Sequence, residues 1–124
     1  MDSLTSAHYL LLVTFRLNGD EVPTPVWFGE HSGRLYLRTV ADSPKTRRIC
    51  ANPRVEVSAC EADGKPTGAR LRGQARRMSA DETIIAVVDA ELDAKYGEER
   101  ISMTRSVRDE QGVALEWIEV VLDE

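Results

Sequence analysis

The stretch Tyr9 to Phe28, YLLLVTFRLNGDEVPTPVWF, decides the fold. Tyr9, Leu11, Val13, Phe15 and Leu17 alternate with Leu10, Leu12, Thr14 and Arg16, which is the period of a β-strand with one apolar and one mixed face. Asn18-Gly19 ends the strand, and this pair is a strong hairpin signal because the favoured two-residue turn needs positive φ at both central positions. Glu21 to Phe28 is then the returning strand. Pro23 and Pro25 lie two apart and remove amide donors from the same edge, so this strand belongs at the border of a sheet.

Further along, His31-Ser32-Gly33 turns the chain into a strand over Arg34–Thr39, with Leu35 and Leu37 on one face and Tyr36 and Arg38 on the other. Asp42-Ser43-Pro44 starts a short helix: Ser43 is the expected N-cap, and Pro44 takes the first helical position, where its missing donor costs nothing. Pro53 ends that helix near Asn52. Arg54–Cys60 is a strand, Asp63–Pro66 a turn, and Thr67–Met78 a long strand with Arg70, Arg72, Gln74 and Arg76 on one face. Ser79 and Glu82 read as a capping box for a helix from about Ala80 to Tyr96, closed by Gly97. Residues 98–112 carry no assignable pattern, and Val113–Leu122 is a last strand containing Trp117. The expected fold is mainly β, a six-stranded antiparallel barrel in one domain with one covering helix.

The chain has 124 residues, 42% of them apolar and 30% charged, a balance that excludes a disordered chain. A core of this size is modest, and self-association would cover apolar surface that it leaves outside. No run approaches the roughly 18 apolar residues of a membrane span, and Met1 to Ser6 has no signal-peptide pattern, so the expected location is the cytoplasm. Cys50 and Cys60 match no zinc spacing and are expected to be reduced.

The net charge of −5 is unevenly spread. Residues 34–77 carry 11 basic and 4 acidic groups, whereas residues 78–124 carry 4 basic and 13 acidic ones. A basic middle in an acidic protein points to a local anionic ligand. Its focus is Thr39-Val40-Ala41-Asp42-Ser43-Pro44-Lys45, where a strand runs into a helix start and two hydroxyls and a lysine converge on outward amides. Arg47 and Arg48 extend the positive region. The alternative is that Thr39 and Ser43 are only caps and Lys45 is solvated. Thr24-Pro25-Val26-Trp27-Phe28, a strand with broken pairing and a large aromatic, offers a surface for a flat ring, or else its aromatics simply pack in the core.

His8 and His31 have no metal-ligand spacing, and no nucleophile elbow, Walker loop or dinucleotide fingerprint is present. An enzyme built from these residues would therefore take its difficult step from a bound cofactor. Nucleic-acid binding is disfavoured, because Tyr36 is the only aromatic from Arg34 to Arg77 and stacking platforms would be needed. The arginines of that region are expected to serve a cofactor tail or a dimer contact instead.

LLLVTFRLNGDEVPTPVWF, RLYLRTVADSPKTRRICANPRVEVSAC and GKPTGARLRGQARRM together resemble the split-barrel flavin and deazaflavin proteins of the pyridoxamine phosphate oxidase-like superfamily, in particular its small actinobacterial deazaflavin-dependent oxidoreductases. The resemblance runs from about Ala7 to Leu122. It implies a homodimer with cofactors in grooves between the subunits, Thr39, Ser43 and Lys45 at the cofactor phosphate with Arg47 or Arg48 as an extra partner, and Pro25, Val26 and Trp27 against the ring. It implies coenzyme F-420 as cofactor, with flavin mononucleotide (FMN) as the alternative, and hydride transfer to an unsaturated or quinone-like small molecule. A binding protein for haem, flavin or deazaflavin without turnover is the second class. The C-terminal signature expected of a true pyridoxamine phosphate oxidase is absent.

Overall fold

The computed structural model describes residue 4 and residues 6–123. The reading of Met1 to Ser6 as free of a signal pattern therefore falls largely outside the described residues. Seven strands run in chain order: β1 Tyr9–Phe15, β2 Glu21–Val26, β3 Gly29–His31, β4 Arg34–Val40, β5 Arg54–Cys60, β6 Leu71–Arg77 and β7 Leu115–Leu122. They form one antiparallel sheet in the order β2-β1-β5-β6-β7-β4-β3. Helix α1 is Pro44–Ala51, α2 is Ile84–Tyr96 and α3 is Glu98–Thr104, which continues into a π-helical turn over Arg105–Glu110.

The two edge strands are neighbours in sequence, separated only by Trp27 and Phe28. Seven strands laid flat would put the edges about 29 Å apart, whereas the link from Val26 to Gly29 reaches about 11 Å at most. The sheet must curl into a split barrel. β2, with Pro23 and Pro25, is an edge strand as its prolines require.

Leu10 and Leu12 of β1, Leu35 and Leu37 of β4, Val55 and Val57 of β5, Ala75 of β6, and Ile118 and Val120 of β7 fill the interior. Ile49 from α1 and Phe28 from the link close it. The more uniformly apolar face of β1, with Leu11, Val13 and Phe15, lies on the outside of the curl and is buried there, with the Arg54 guanidinium 4.7 Å from the centre of the Phe15 ring. Outside β4 and β7, Val88, Leu92 and Tyr96 of α2 pack on Tyr36, Met78 and Trp117. At the seam a Cβ on Gly29 would run into Leu92 Cδ1, so a larger residue here would make the Leu92 side chain move.

The structure corrects four expectations. The barrel has seven strands, because Gly29–His31 pairs with β4 where only a turn is legible. The first hairpin closes with a three-residue loop, since Arg16 N–H donates to the Asp20 carbonyl, Gly19 N–H donates to the Arg16 carbonyl, and only Gly19 of the Asn18-Gly19 pair takes positive φ. Glu82 does accept the Ser79 amide at 2.7 Å, but α2 starts at Ile84, so this half capping box closes a preceding turn. Residues 98–110 are helical. Cys50 and Cys60 are both free.

Outside β6 and β7, Glu119 is buried and takes hydrogen bonds from Tyr36 Oη at 2.9 Å and Arg76 Nε at 2.8 Å, with Arg34 at 3.4 Å. Burial alone would push its carboxyl upward, but the bonds from Arg76 and Tyr36 outweigh it and hold the group below its ordinary 4.5. A carboxylate depressed in this way stabilises the fold above about pH 4.5 and loses that contribution as pH falls through its folded value. Glu119→Gln should therefore flatten the acid side of the stability profile, read as melting temperature between about pH 6 and pH 3.

The seam makes its own prediction. Tyr96 Oη accepts the Phe28 amide at 3.0 Å and lies 2.8 Å from the His8 carbonyl and 3.1 Å from the Phe28 carbonyl, to which it donates. Tyr96→Phe leaves the buried Phe28 amide without this acceptor, while the Phe28 carbonyl keeps Lys95, and should cost about 1 to 3 kcal/mol in urea unfolding.

Candidate functional site

The end of β4, the start of β7 and the C-terminal helices meet around one cavity of about 230 Å³. Trp27, Arg38, Thr39, Val40 and Leu115 line it from the barrel, and Leu92, Arg100, Met103, Thr104 and Val107 from the helices. Trp27 is held there by stacking on Tyr96, with ring centres 4.7 Å apart and planes 18° apart. The seam thus delivers one aromatic wall of the cavity.

Thr39 connects the cavity to the helix start. Lys45 Nζ donates to Thr39 Oγ1 at 3.0 Å. The lysine is half-buried and no carboxylate among the described residues pairs with it; burial and then the nearby Arg48 push its pKa below 10.5. Ser43 caps α1 as expected, its Oγ accepting Thr46 N–H at 3.4 Å and lying 3.1 Å from Thr46 Oγ1, with Pro44 in the first turn. Asp42 sits at φ 56, a left-handed conformation that aspartate tolerates, and its amide donates to Glu116.

The other expected residues are placed differently. Arg47 is exposed and tied to Asp42 at 3.1 and 3.3 Å. Arg48 turns to the barrel end, where its Nε donates to the buried Thr14 Oγ1 at 2.7 Å. Pro25 and Val26 pair with Leu11 and Leu10 along β2 and lie outside the cavity lining. Thr39 and Trp27 thus line one cavity and Lys45 touches it through Thr39, whereas Ser43, Arg47, Arg48, Pro25 and Val26 lie outside the lining.

Sequence reading missed the helical wall. Arg100 is 2% exposed and donates to the Asp89 carbonyl and to the carboxylates of Asp89 and Asp93, which tie α3 to α2. Thr104 accepts from Arg38, which also reaches Asp89 at 3.4 Å. Burial and then Arg100 lower the Arg38 pKa. Asp89 and Asp93 are spaced at one helical turn, but Gly97 breaks the helix before Arg100, so no single periodicity links them. Among the described residues no group of His, Cys, Asp or Glu is arranged to hold a metal ion, and no helix is long and apolar enough to cross a membrane.

The model of the pyridoxamine 5'-phosphate oxidase family matches residues 1–121. This chain belongs to that family. Comparison with curated protein sequences finds no match. Solved structures share the fold at low identity. The haem storage protein HutZ from Vibrio cholerae superposes with a TM-score of 0.72 at 14% identity, covering 96% of this chain and 84% of that one. An F420 reductase gives 0.61 at 19% identity, covering 99% and 93%. A FAD-binding protein from Mesorhizobium loti gives 0.66 at 14% identity, covering 97% and 82%.

Lys45 provides a direct check of the anion site. Because its pKa is lowered, sulfate affinity should fall with rising pH at values below 10.5, and Lys45→Arg should abolish that fall. Sulfate titrations monitored by tryptophan fluorescence read both outcomes, since the anion keeps its charge throughout.

Proposed function

We propose that this family member is an oxidoreductase using a deazaflavin of the coenzyme F-420 type. Lys45, Thr39 and Ser43 hold the cofactor phosphate and Trp27 flanks the ring. Lys45 carries this reading: it is a half-buried ammonium without a carboxylate partner among the described residues, hydrogen-bonded to the threonine that opens onto a largely apolar cavity. Solved relatives of the fold that are named for F420, FAD and haem support a bound redox cofactor.

The donor set suits a phosphate ester. Lys45 supplies charge, Thr39 and Ser43 supply hydroxyls, and the start of α1 adds the positive end of the helix dipole. Trp27, braced by Tyr96, orients a flat ring, and Leu92, Val107 and Leu115 exclude water from it. The reduced cofactor would supply the hydride to an unsaturated or quinone-like acceptor, with a proton from solvent or from a side chain still to be identified. FMN satisfies the same phosphate contacts and is the second reading.

The homodimer belongs to the same proposal. Val40 is 45% exposed and Met103 50% exposed beside the cavity, and a second copy covering them would bury apolar surface and dry the ring site. Sedimentation at micromolar concentration should show twice the 13.8 kDa of one chain; a monomer alone would remove the shared groove.

Reduced F-420, screened against quinones and enones, should be oxidised by the wild-type protein. Lys45→Ala should weaken cofactor binding by about 1.5 to 3 kcal/mol, the value of a charge-assisted contact. Unchanged affinity would move the phosphate elsewhere, and tight binding with no acceptor reduced would make the protein a carrier.

A further inference from the structure

We infer that Asp89 and Asp93 set the charge selectivity of the cavity: they neutralise its two guanidinium groups from behind, so that it takes an uncharged acceptor and turns away one that carries a negative group. The inference deepens the oxidoreductase reading, on which it rests for the acceptor's place beside Trp27.

Among the described residues the charged lining of the cavity is Arg38 and Arg100, whose side chains are 13% and 2% exposed. Apart from them and the hydroxyls of Thr39 and Thr104, the lining is apolar. Left alone, guanidinium groups in such surroundings would recruit an anion, because burial leaves them short of both counter-charge and acceptors. Here α2 supplies both. Arg100 Nη2 donates to Asp89 Oδ1 at 2.8 Å, and its Nη1 donates to Asp93 Oδ1 and to the Asp89 carbonyl. Arg38 Nη1 reaches the same Asp89 Oδ1 at 3.4 Å, and its Nη2 donates to Thr104 Oγ1. Two cations thus face two carboxylates.

The placement of the carboxylates decides what they do. Asp89 and Asp93 are one helical turn apart on α2, and neither lines the cavity. Their side chains are 39% and 41% exposed, so they back the arginines from the solvent side. They therefore shape the potential of the cavity and not its walls. An entering carboxylate or sulfonate would compete with Asp89 for both arginines against the field of two carboxylates, whereas a neutral quinone or enone leaves the pairs intact and covers the apolar lining. Neighbouring cations leave this balance in place. The exposed Arg105 and the Arg108–Asp109 pair line a separate polar pocket that shares Arg38 and Thr104 with the cavity, and Lys45 stands behind Thr39.

The test compares the binding of menadione, which is uncharged, with that of naphthoquinone sulfonate, which carries a permanent negative charge on the same ring system. Quenching of tryptophan fluorescence reads both, since Trp27 is on the cavity wall. The full chain is used in the Lys45→Ala background, so that the sulfonate cannot sit at the phosphate site. The quantity that decides is the ratio of the two affinities, because a loosened structure would move both together. With Asp89 present the ratio should favour menadione roughly tenfold. Asp89→Asn should move it roughly tenfold toward the sulfonate, since removing one partner of a buried pair leaves the other charge uncompensated. Adding Arg38→Gln to Asp89→Asn removes the surplus cation and should restore the preference for menadione. Equal binding or a preference for the sulfonate with Asp89 present, or an unchanged ratio in Asp89→Asn, would overturn the inference while leaving the cofactor site as it stands. Failure of the chain to bind either quinone would remove the acceptor from this cavity, and the inference would fall with that reading. If Asp89→Asn melts early, Asp93→Asn decides the matter: it leaves Asp89 on both arginines and must still move the ratio toward the sulfonate.

Discussion

The rest of the molecule depends on a two-residue link. Trp27 and Phe28 join the two edges of a seven-stranded sheet, and no flat arrangement lets so short a connection span them. Curling brings Phe28 into the interior, where its backbone loses water and needs other partners. Tyr96 takes its amide, and Lys95 donates to its carbonyl at 2.9 Å from above the Phe28 ring, where burial pushes the lysine down to about 8. The end of α2 is thus pinned to the seam, and the Tyr96 ring that closes the barrel also braces Trp27 in the cavity. Closure of the fold and construction of the site are the same set of contacts.

Electrostatics then works by subtraction. The basic middle of the chain looks like one extended anion-binding surface, but β7 lies beside β6 and β4 and brings Glu116 and Glu119 onto Arg77, Arg76 and Arg34. Glu21 and Glu56 do the same for Arg70. Arg70 and Arg76, expected to serve a cofactor tail or a dimer contact, are engaged in these pairs. Lys45 and Arg48, at the end of the barrel, are among the cations that no carboxylate pairs among the described residues. Pairs of this kind decide where positive potential survives.

Legibility followed the range of the interactions. The strands of strict alternation, the Ser43 cap with Pro44, and the edge position of β2 are consequences of bonds between near neighbours, and they were readable. Gly29–His31 was not, because three residues are too few for a period and their pairing depends on β4. Ser79 and Glu82 kept their bond, but packing of the apolar face moved the helix start to Ile84. Residues 98–110 present no periodic apolar face; their order comes from Arg100 reaching two carboxylates on α2 and from Arg38 reaching Thr104. At the site, Thr39, Ser43, Lys45 and Trp27 were legible as types of residue in a strand-to-helix turn and an edge strand, whereas Arg38 and the helical wall were not.

By itself the amino-acid order determined a mainly β chain with proline-marked edges, a capped helix after β4, and a lysine and two hydroxyls at that junction. Each of these is set by backbone geometry or side-chain reach within a few residues. The tertiary structure alone decided which arginines keep their charge available, which face of β1 lines the interior, and that Trp27 and Thr39 share a cavity. Those outcomes depend on strands brought together across the sheet, since neutralisation and burial are fixed by what arrives alongside and not by what precedes or follows in the chain.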